Sequence, residues 1–133
     1  MLKTDVDRGT GWTQIPRYIR AQVKRSKCQI CGRPYGKVYC LPGNKIVHPK
    51  ECLHHILSRR FLAMHGIFEH HPTNLLSICS APCHVRLLKV EDRLFQGDVI
   101  GFLTGNKQLG IDPQWIIKFA VSVGLKEFDG VRL

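Results

Sequence analysis

Apolar residues recur every four positions near the start of the chain, at Ile15, Ile19 and Val23. This spacing predicts a helix over residues 13–26, with Pro16 tolerated in its first turn. The opposite face of this helix is basic and carries Arg17, Arg20, Lys24 and Lys27. A basic face of this kind is either simply exposed to solvent or contacts a phosphate backbone. The sequence leaves both interpretations open.

The middle of the chain alternates short apolar runs with turn residues, a pattern typical of β-strands. The runs VYCL and KIV, within residues 37–47, are separated by a Pro-Gly-Asn turn, and the run ECLHHIL follows them. Residues 58–73 include a glycine and a proline and are predicted to form a loop. The apolar run at residues 75–78 predicts a further short strand.

A longer helix is predicted to begin after Cys83 and to end near Phe95. Its inward face is apolar and comprises Leu87, Leu88, Leu94 and Phe95. Its other face is basic and comprises Arg86, Lys89 and Arg93. The helix therefore has the two-sided pattern of an amphipathic element.

Beyond Gly97 the composition predicts a short helix, a turn at Gly105-Asn106, and a second helix. The second helix begins with Asp112 as its N-cap and Pro113 at its first position. Its apolar face comprises Trp115, Ile116, Phe119, Ala120 and Val123. This C-terminal part is expected to pack on the core, to read DNA as a helix-turn-helix, or to form a dimer face.

Length and charge limit the classes of function. The 133 residues suffice for about one domain, and 20 Lys and Arg against 10 Asp and Glu give a net charge of +10. A polyanion, nucleic acid before membrane, is the expected partner, because no apolar run reaches the roughly 18 residues of a spanning helix. The first residues lack the apolar segment of a secretory signal, so we expect an intracellular, cytoplasmic protein.

Six cysteines favour a metal site over disulfides in a chain without an export signal. Cys28 and Cys31 form a C-x2-C pair, and Cys79 and Cys83 form a C-x3-C pair. Four thiolates make a closed tetrahedral site for Zn2+, which stabilises a small core and leaves no position for catalysis. The remaining two, Cys40 and Cys52, are expected to be small buried apolar residues, with Cys40 as the substitute ligand if Pro82 distorts the second pair.

A second candidate site consists of His54, His55, Asn74 and His84. Adjacent side chains on a strand point in different directions, so one imidazole can bind a cation while the other takes a proton from water. Asn74 has both a donor and an acceptor with which to bridge to the histidine strand. If zinc binds Cys83, it also fixes His84 near that strand. The other histidines, His48, His65, His70 and His71, are expected to be polar surface groups.

Three segments together resemble the HNH endonuclease family: WTQIPRYIRAQVKRSKCQICG, then LHHI, then TNLLSICSAPCHVRLLK. The family motif runs C-x2-C, (D/H)HI, NL, C-x2-C-H, and the resemblance covers residues 12–93. It implies His55 as general base, His54 and His84 as ligands of a catalytic Mg2+, Asn74 as orienter of the base, and the four cysteines as structural zinc ligands. His54 stands where the family often has Asp, so softer ions such as Mn2+ or Ni2+ are expected to serve as well. The C-x3-C spacing also departs from the motif and bears on the seating of His84.

The resemblance implies an α+β fold, a small zinc-stabilised ββα-metal (HNH) nuclease core with an N-terminal helix, to which the pattern beyond Gly97 adds a C-terminal helical extension. The expected organisation is a loose arm at residues 1–12, the nuclease domain at 13–96, and the extension at 97–133, packed on the same domain. The expected activity is hydrolysis of double-stranded DNA that leaves 5′-phosphate and 3′-hydroxyl ends, by a monomer or homodimer. The catalytic residues are then His55, Asn74 and His84. The DNA-binding residues are Arg17, Arg20, Lys24, Arg59, Arg60, Arg86 and Lys89.

Two other classes of function stay open. A zinc-stabilised module that binds nucleic acid without cutting it needs only the cysteines and the positive charge. An interaction protein would use the apolar C-terminal helix. The full set of histidines and asparagine favours the nuclease over both.

Overall fold

The computed structural model describes residues 12–47 and 50–132, and the fold is α+β, with helices and two small antiparallel sheets. Residues 1–11 of the predicted arm, and His48, lie outside the described residues. The helices are α1 (Arg17–Val23), α2 (Arg59–Met64), α3 (Cys83–Phe95), α4 (Val99–Gln108) and α5 (Pro113–Ser122). The strands are β1 (Tyr39–Leu41), β2 (Lys45–Val47), β3 (Glu51–His55) and β4 (Leu75–Cys79). Short 3-10 turns cover Pro72–Asn74 and Lys126–Phe128.

The strand pair β3–β4 positions most of the candidate residues. Its antiparallel register places Cys79 opposite Glu51 and Leu75 opposite His55. All five residues of β4 are buried, as expected for a strand covered on both faces. One sheet therefore carries a cysteine at one end and the histidine pair at the other. The pair β1–β2 forms a separate sheet.

The N-terminal helix is shorter than the predicted range of residues 13–26. Helix α1 begins after Pro16, because a residue that precedes proline is biased towards extended backbone. It ends at Val23, and the Arg25 guanidinium donates to the carbonyls of Gln22, Val23 and Lys24 at 2.9, 3.0 and 2.9 Å. Lys24 is the C-cap. The predicted basic face is correspondingly shortened.

The predicted loop at residues 58–73 contains helix α2, so that prediction was wrong for its first half. Ser58 is the N-cap, and its hydroxyl accepts a hydrogen bond from the Phe61 amide at 3.1 Å. Phe61 and Leu62 are buried, so tertiary packing stabilises a helix too short to be stable alone.

The predicted turn at Gly105-Asn106 is also wrong, because both residues lie inside α4. The Asn106 side chain is buried and donates to the Phe102 carbonyl at 2.8 Å, so the helix itself satisfies this polar group. Gly105 lets α3 approach, since a Cβ there would lie 2.8 Å from Val90 Cγ1. The chain turns instead at Gly110, which has a φ of +87°.

Two predicted inward residues point outwards. Leu88 of α3 is 42% exposed and Trp115 of α5 is 39% exposed, whereas Leu87 and Ile116 beside them are buried. The apolar stripes of both helices are therefore narrower than predicted. Leu88 lines a cleft described below.

The larger of two buried clusters extends from Trp12 to Phe128, and the smaller one consists of Ile19, Val23 and Leu75. The C-terminal helices thus contribute to the same core as the strands. Trp12 differs from the prediction of a loose arm, because it is fully buried and its indole donates to the Arg59 carbonyl at 3.1 Å. A large aromatic ring gains enough from burial to fix its segment on the core.

The contact between Gly105 and Val90 gives a first prediction. Gly105→Ala lowers the free energy of unfolding by about 1 kcal/mol, because about 1–3 kcal/mol of overpacking exceeds the gain of about 1 kcal/mol in helix propensity. Urea denaturation measures the effect. The double variant Gly105→Ala/Val90→Ala has room for the new methyl group, so its loss is smaller than the sum of the two single losses. Thr104→Ala, an exposed change on the same helix, is the matched control, and a wild-type stability for Gly105→Ala contradicts the prediction.

Candidate functional site

Four cysteine sulfurs form a compact cluster that is positioned to bind a metal ion. The ligand atoms of Cys28, Cys31, Cys79 and Cys83 all lie within 4.8 Å of one another, and the Cys31 and Cys79 sulfurs are 3.9 Å apart. A tetrahedral zinc ion with Zn–S bonds of about 2.3 Å places its sulfurs about 3.8 Å apart. The geometry is consistent with the predicted structural zinc, and the C-x3-C spacing does not prevent it.

The chemistry of the four thiols also fits a cation. Burial opposes the charged form of Cys28, but backbone N–H groups, including those of Cys31 and Ile30, outweigh it and lower the pKa of Cys28 to about 7. Burial raises the pKa of Cys79 and Cys83. A metal ion supplies the positive charge that four neighbouring thiolates require. Zn2+ bound there would hold the turn at Cys28–Cys31 against the end of β4.

A hydrogen-bond network joins this turn to the sheet. The Gln29 side chain accepts from the Ser77 amide at 2.8 Å, and the Ser77 hydroxyl donates to the Glu51 carboxylate at 2.7 Å. The Tyr35 hydroxyl lies 2.7 Å from the Ser77 hydroxyl. Burial, partly opposed by this hydrogen bond, raises the pKa of Tyr35 to about 12, so the phenol stays neutral and can donate.

The two remaining cysteines lie outside the cluster. Cys40 is exposed on β1, so the prediction of a buried apolar residue was wrong for it. Cys52 is half-buried, and burial raises the pKa of its thiol. Neither sulfur belongs to the group of four. Cys83 completes the group, so Cys40 is not needed as a substitute ligand.

Metal removal tests the cluster. We expect one zinc per chain, released only by a strong chelator or thiol-reactive reagent, with a large fall in the melting temperature. Cys79→Ser should lose the zinc, and Cys40→Ser should retain it as the matched control. Atomic emission on the dialysed protein measures the metal content. A zinc-free protein with unchanged stability contradicts the prediction.

The histidines lie around a second feature, a cleft of about 430 Å3. The cleft is bounded by β3, the start of α2 and one face of α3. Its lining residues are Cys52, Leu53, His54, His55, Ser58, Arg59, Arg60, His84, Leu88 and Glu91. The structure therefore brings together three of the four predicted residues of the second site.

His54 and His84 face each other across this cleft, with ring centroids 5.5 Å apart and planes at 73°. Burial, and secondarily the nearby His84, lowers the pKa of His54 to about 4, and burial also lowers that of His84. Both rings are therefore neutral at pH 7, with lone pairs available for a cation. Within residues 12–47 and 50–132, no third His, Cys, Asp or Glu joins them in a group of ligand atoms within 4.8 Å.

The ring of His55 points away from the His54–His84 pair, as expected for the neighbouring residue on a strand. Its Nε2 lies 3.0 Å from His70 Nδ1, and its ring packs edge-on against Trp12 with centroids 5.6 Å apart. Burial, followed by His70, Arg59 and His54, lowers the pKa of His55 to about 3. The ring is neutral at pH 7, and one of its nitrogens can accept a proton.

Asn74 is buried below the cleft and does not line it. Its side-chain oxygen accepts from the Leu57 amide at 2.8 Å, and its amide group donates to the Leu57 carbonyl at 3.0 Å. Its own carbonyl accepts from the Ile56 amide at 2.8 Å. Asn74 thus bonds the backbone at Ile56 and Leu57, just beyond the end of β3, whereas its role as an orienter of His55 stays a prediction.

Sequence reasoning missed two residues beside His55. His70 was expected on the surface, yet it is 9% exposed and its Nε2 lies 2.7 Å from the Thr13 carbonyl. Trp12 was assigned to a loose arm. Trp12 is the only aromatic residue among the first seventeen, and this could have indicated that it is buried. By contrast, nothing in the sequence around His70 distinguishes it from His71.

The predicted DNA-binding residues are all exposed but occupy different places. Arg59 and Arg60 line the cleft, and the Arg60 guanidinium lies 4.9 Å from the centre of the Phe95 ring. The others lie outside the lining of the cleft: Arg17, Arg20, Lys24, Arg86 and Lys89. Arg60, with one face of its guanidinium over Phe95, presents a positive charge at the cleft.

Comparisons of this chain with protein-family models, with curated proteins and with solved structures found no significant match. In the part of the chain that the structure describes, no helix has the length and apolar character to cross a membrane.

Glu91 gives a prediction about pH. Burial raises its pKa, opposed by a hydrogen bond from Ser58 and the charge of Arg60. A carboxyl with a raised pKa in the folded state contributes stability below its unfolded pKa, and this stability is lost as pH rises through the folded value. Glu91→Gln is neutral at every pH, so we expect it to be more stable than wild type at pH 7.

The gain for Glu91→Gln is expected to be a few tenths of a kcal/mol, because the side chain is partly exposed and solvent screens its charge. The difference should vanish near pH 4, where the wild-type carboxyl is protonated. Urea denaturation at both pH values measures it. Asp92→Asn, at the exposed neighbour, is the matched control. An equal difference at the two pH values argues against an electrostatic cause.

Proposed function

We propose that this chain is a metal-dependent endonuclease of the HNH, ββα-metal type that hydrolyses DNA phosphodiester bonds. The observation that supports the proposal is the divergence of His54 and His55, two neighbours on one strand in one cleft. His54 faces His84, and His55 faces His70 and Trp12. The antiparallel pair β3–β4 followed by α3 supplies the ββα order of elements.

The two histidine groups suit two separate tasks. An imidazole whose lone pair binds a cation cannot use that lone pair to take a proton from water. A single histidine could therefore either bind the cation or activate the water, but not both. Burial keeps the rings of His54 and His55 neutral at pH 7. Both lone pairs are thus available at the same time.

His54 and His84 are the residues that would hold the divalent cation. A cation bound there supplies positive charge to the phosphate and to the departing 3′-oxygen. Two imidazoles without a carboxylate favour ions that tolerate nitrogen ligands, so Mn2+ and Ni2+ are expected to work beside Mg2+. Arg59 and Arg60 in the cleft wall would hold the phosphate oxygens.

The chemical step then belongs to His55. It takes a proton from a water molecule, the water oxygen attacks phosphorus, and the bond to the 3′-oxygen breaks. Asn74 keeps the backbone after His55 in place through its two hydrogen bonds to Leu57. The cysteine cluster contributes structure and no chemistry, since four thiolates leave no open coordination position.

Plasmid cleavage tests this proposal. We expect the purified protein to nick or linearise supercoiled DNA when Mg2+ or Mn2+ is added, and His55→Ala to reduce the rate by about 10²–10⁴-fold because the general base is lost. His71→Ala, a histidine that contacts Phe119 away from the cleft, is the control and should cut at the wild-type rate. Leaving out the added cation is preferable to a chelator, which would also attack the cysteine site.

Cleavage by His55→Ala at the wild-type rate would remove His55 from the mechanism. Electrophoretic retardation of the same DNA distinguishes the second candidate, a nucleic-acid-binding module, which the net charge of +10 also favours. Binding without cleavage by the zinc-loaded wild type, with every cation, would decide for that module.

A further inference from the structure

A chain of hydrogen bonds leads from His55 away from the cleft. His55 Nε2 lies 3.0 Å from His70 Nδ1, and His70 Nε2 lies 2.7 Å from the Thr13 carbonyl oxygen. A carbonyl oxygen can only accept, so the Nε2 of His70 carries a proton and donates it. His70 is 9% exposed, and burial, joined by Arg59 and His71 and opposed by the bond to Thr13, lowers its pKa and disfavours a second proton on the ring. The neutral ring therefore has a bare Nδ1.

This assignment fixes the tautomer of His55. A bare Nδ1 on His70 can only accept, so the Nε2 of His55 is the donor. A neutral imidazole carries one proton, and with that proton on Nε2 the lone pair of His55 is on Nδ1. His55 itself lines the cleft. Nδ1 is thus the only ring nitrogen of His55 left to act on a water molecule there.

Trp12 holds both rings in this arrangement. It is fully buried, and its ring centroid lies 4.9 Å from that of His70 and 5.6 Å from that of His55. Its indole N–H donates to the Arg59 carbonyl at 3.1 Å. Thr13 follows Trp12 directly, so the burial of Trp12 also places the carbonyl that begins the chain of hydrogen bonds. The N-terminal segment therefore orients a residue on β3.

We propose that His70 is a positioning residue that, with the Thr13 carbonyl, holds His55 in the Nε2–H tautomer and directs its Nδ1 lone pair to the attacking water. The inference rests on the proposed function only in that the water attacks a phosphodiester. The tautomer of His55 can be measured whether or not the protein cuts DNA. In the step, the proton leaves water for Nδ1 of His55. The Nε2 proton stays on His55, in its hydrogen bond to His70, so the positive charge that forms is stabilised by a neutral acceptor.

The variants are chosen to separate hydrogen bonding from packing. His70→Leu fills the space beside Trp12 but cannot accept from His55 or donate to Thr13. His70→Gln offers an acceptor and a donor on one planar group and can restore both bonds. His65→Leu changes a histidine that bonds the Phe61 carbonyl and Glu127 and neither His55 nor His70, and it is the matched control. Zinc content and urea denaturation confirm that each variant is folded.

The first readout is nitrogen NMR of the histidine rings, recorded on ¹⁵N-histidine-labelled protein without added divalent cation. We expect wild-type His55 to show a protonated Nε2 and a bare Nδ1 at neutral pH. His70→Leu should shift His55 to a mixture of both tautomers, and His70→Gln should restore the single one. A wild-type His55 protonated on Nδ1 overturns the proposal without any variant, so the test does not depend on the folding of His70→Leu.

The second readout is single-turnover cleavage at saturating protein. We expect His70→Leu to cut about 10–100-fold more slowly with unchanged DNA affinity, the size of effect typical of a residue that orients a functional ligand. His70→Gln should recover most of the rate. Wild-type cutting by His70→Leu overturns the positioning role. A wild type that never cuts refutes the nuclease assignment instead, and the tautomer of His55 still decides whether His70 holds it.

Discussion

The structure depends first on the approach of four cysteine sulfurs from two distant parts of the chain. Cys28 and Cys31 come from a turn after α1, whereas Cys79 ends β4 and Cys83 begins α3. Their grouping within 4.8 Å holds the N-terminal turn, the central sheet and the long helix at one point. A domain of this size has a small core, so a metal ion bound by the four sulfurs would contribute a large share of its stability. Because His84 follows Cys83, the same point also sets the position of one side of the histidine cleft.

The second constraint is burial of the histidine pair. His54 is buried against His84, and the half-buried ring of His55 contacts Trp12 and His70. Burial removes water from both rings and favours their neutral forms. Positive groups in the cleft wall, Arg59 among them, act in the same direction. The cleft thus combines two arginines, one carboxyl group and uncharged nitrogen bases in its lining.

The sequence predicted the local elements whose signals are local. The strand at residues 75–78 and the helix beginning near Cys83 follow from apolar spacing, and Asp112 with Pro113 marked the start of α5. The cysteine cluster followed from paired spacing. The errors came from residues whose environment is set by distant parts of the chain. Helix α2 depends on burial of Phe61 and Leu62, and Gly105 lies inside α4 where Val90 of α3 leaves no room for a side chain.

Separation along the chain also decided how much of the candidate site could be predicted. Adjacent histidines on a strand must diverge, so the division between His54 and His55 could be anticipated from β periodicity. What each ring would face could not, because His70 and Trp12 are separated from His55 in sequence by 15 and more than 40 residues. A pattern of polar residues also gives no sign of which of two neighbours, His70 or His71, turns inwards.

Asn74 has a consequence for how the chain leaves the sheet. Its side chain makes the same pair of bonds to Leu57, one accepted and one donated, that a peptide group on a neighbouring strand would make. With these two bonds the Asn74 side chain extends the β3–β4 ladder by one pair beyond Leu75, the first residue of β4. The strand can then stop at His55 without leaving unpaired peptide groups in the interior, and α2 begins only four positions later. One amide side chain therefore sets the short interval along the chain between the histidine pair and the arginines of the cleft.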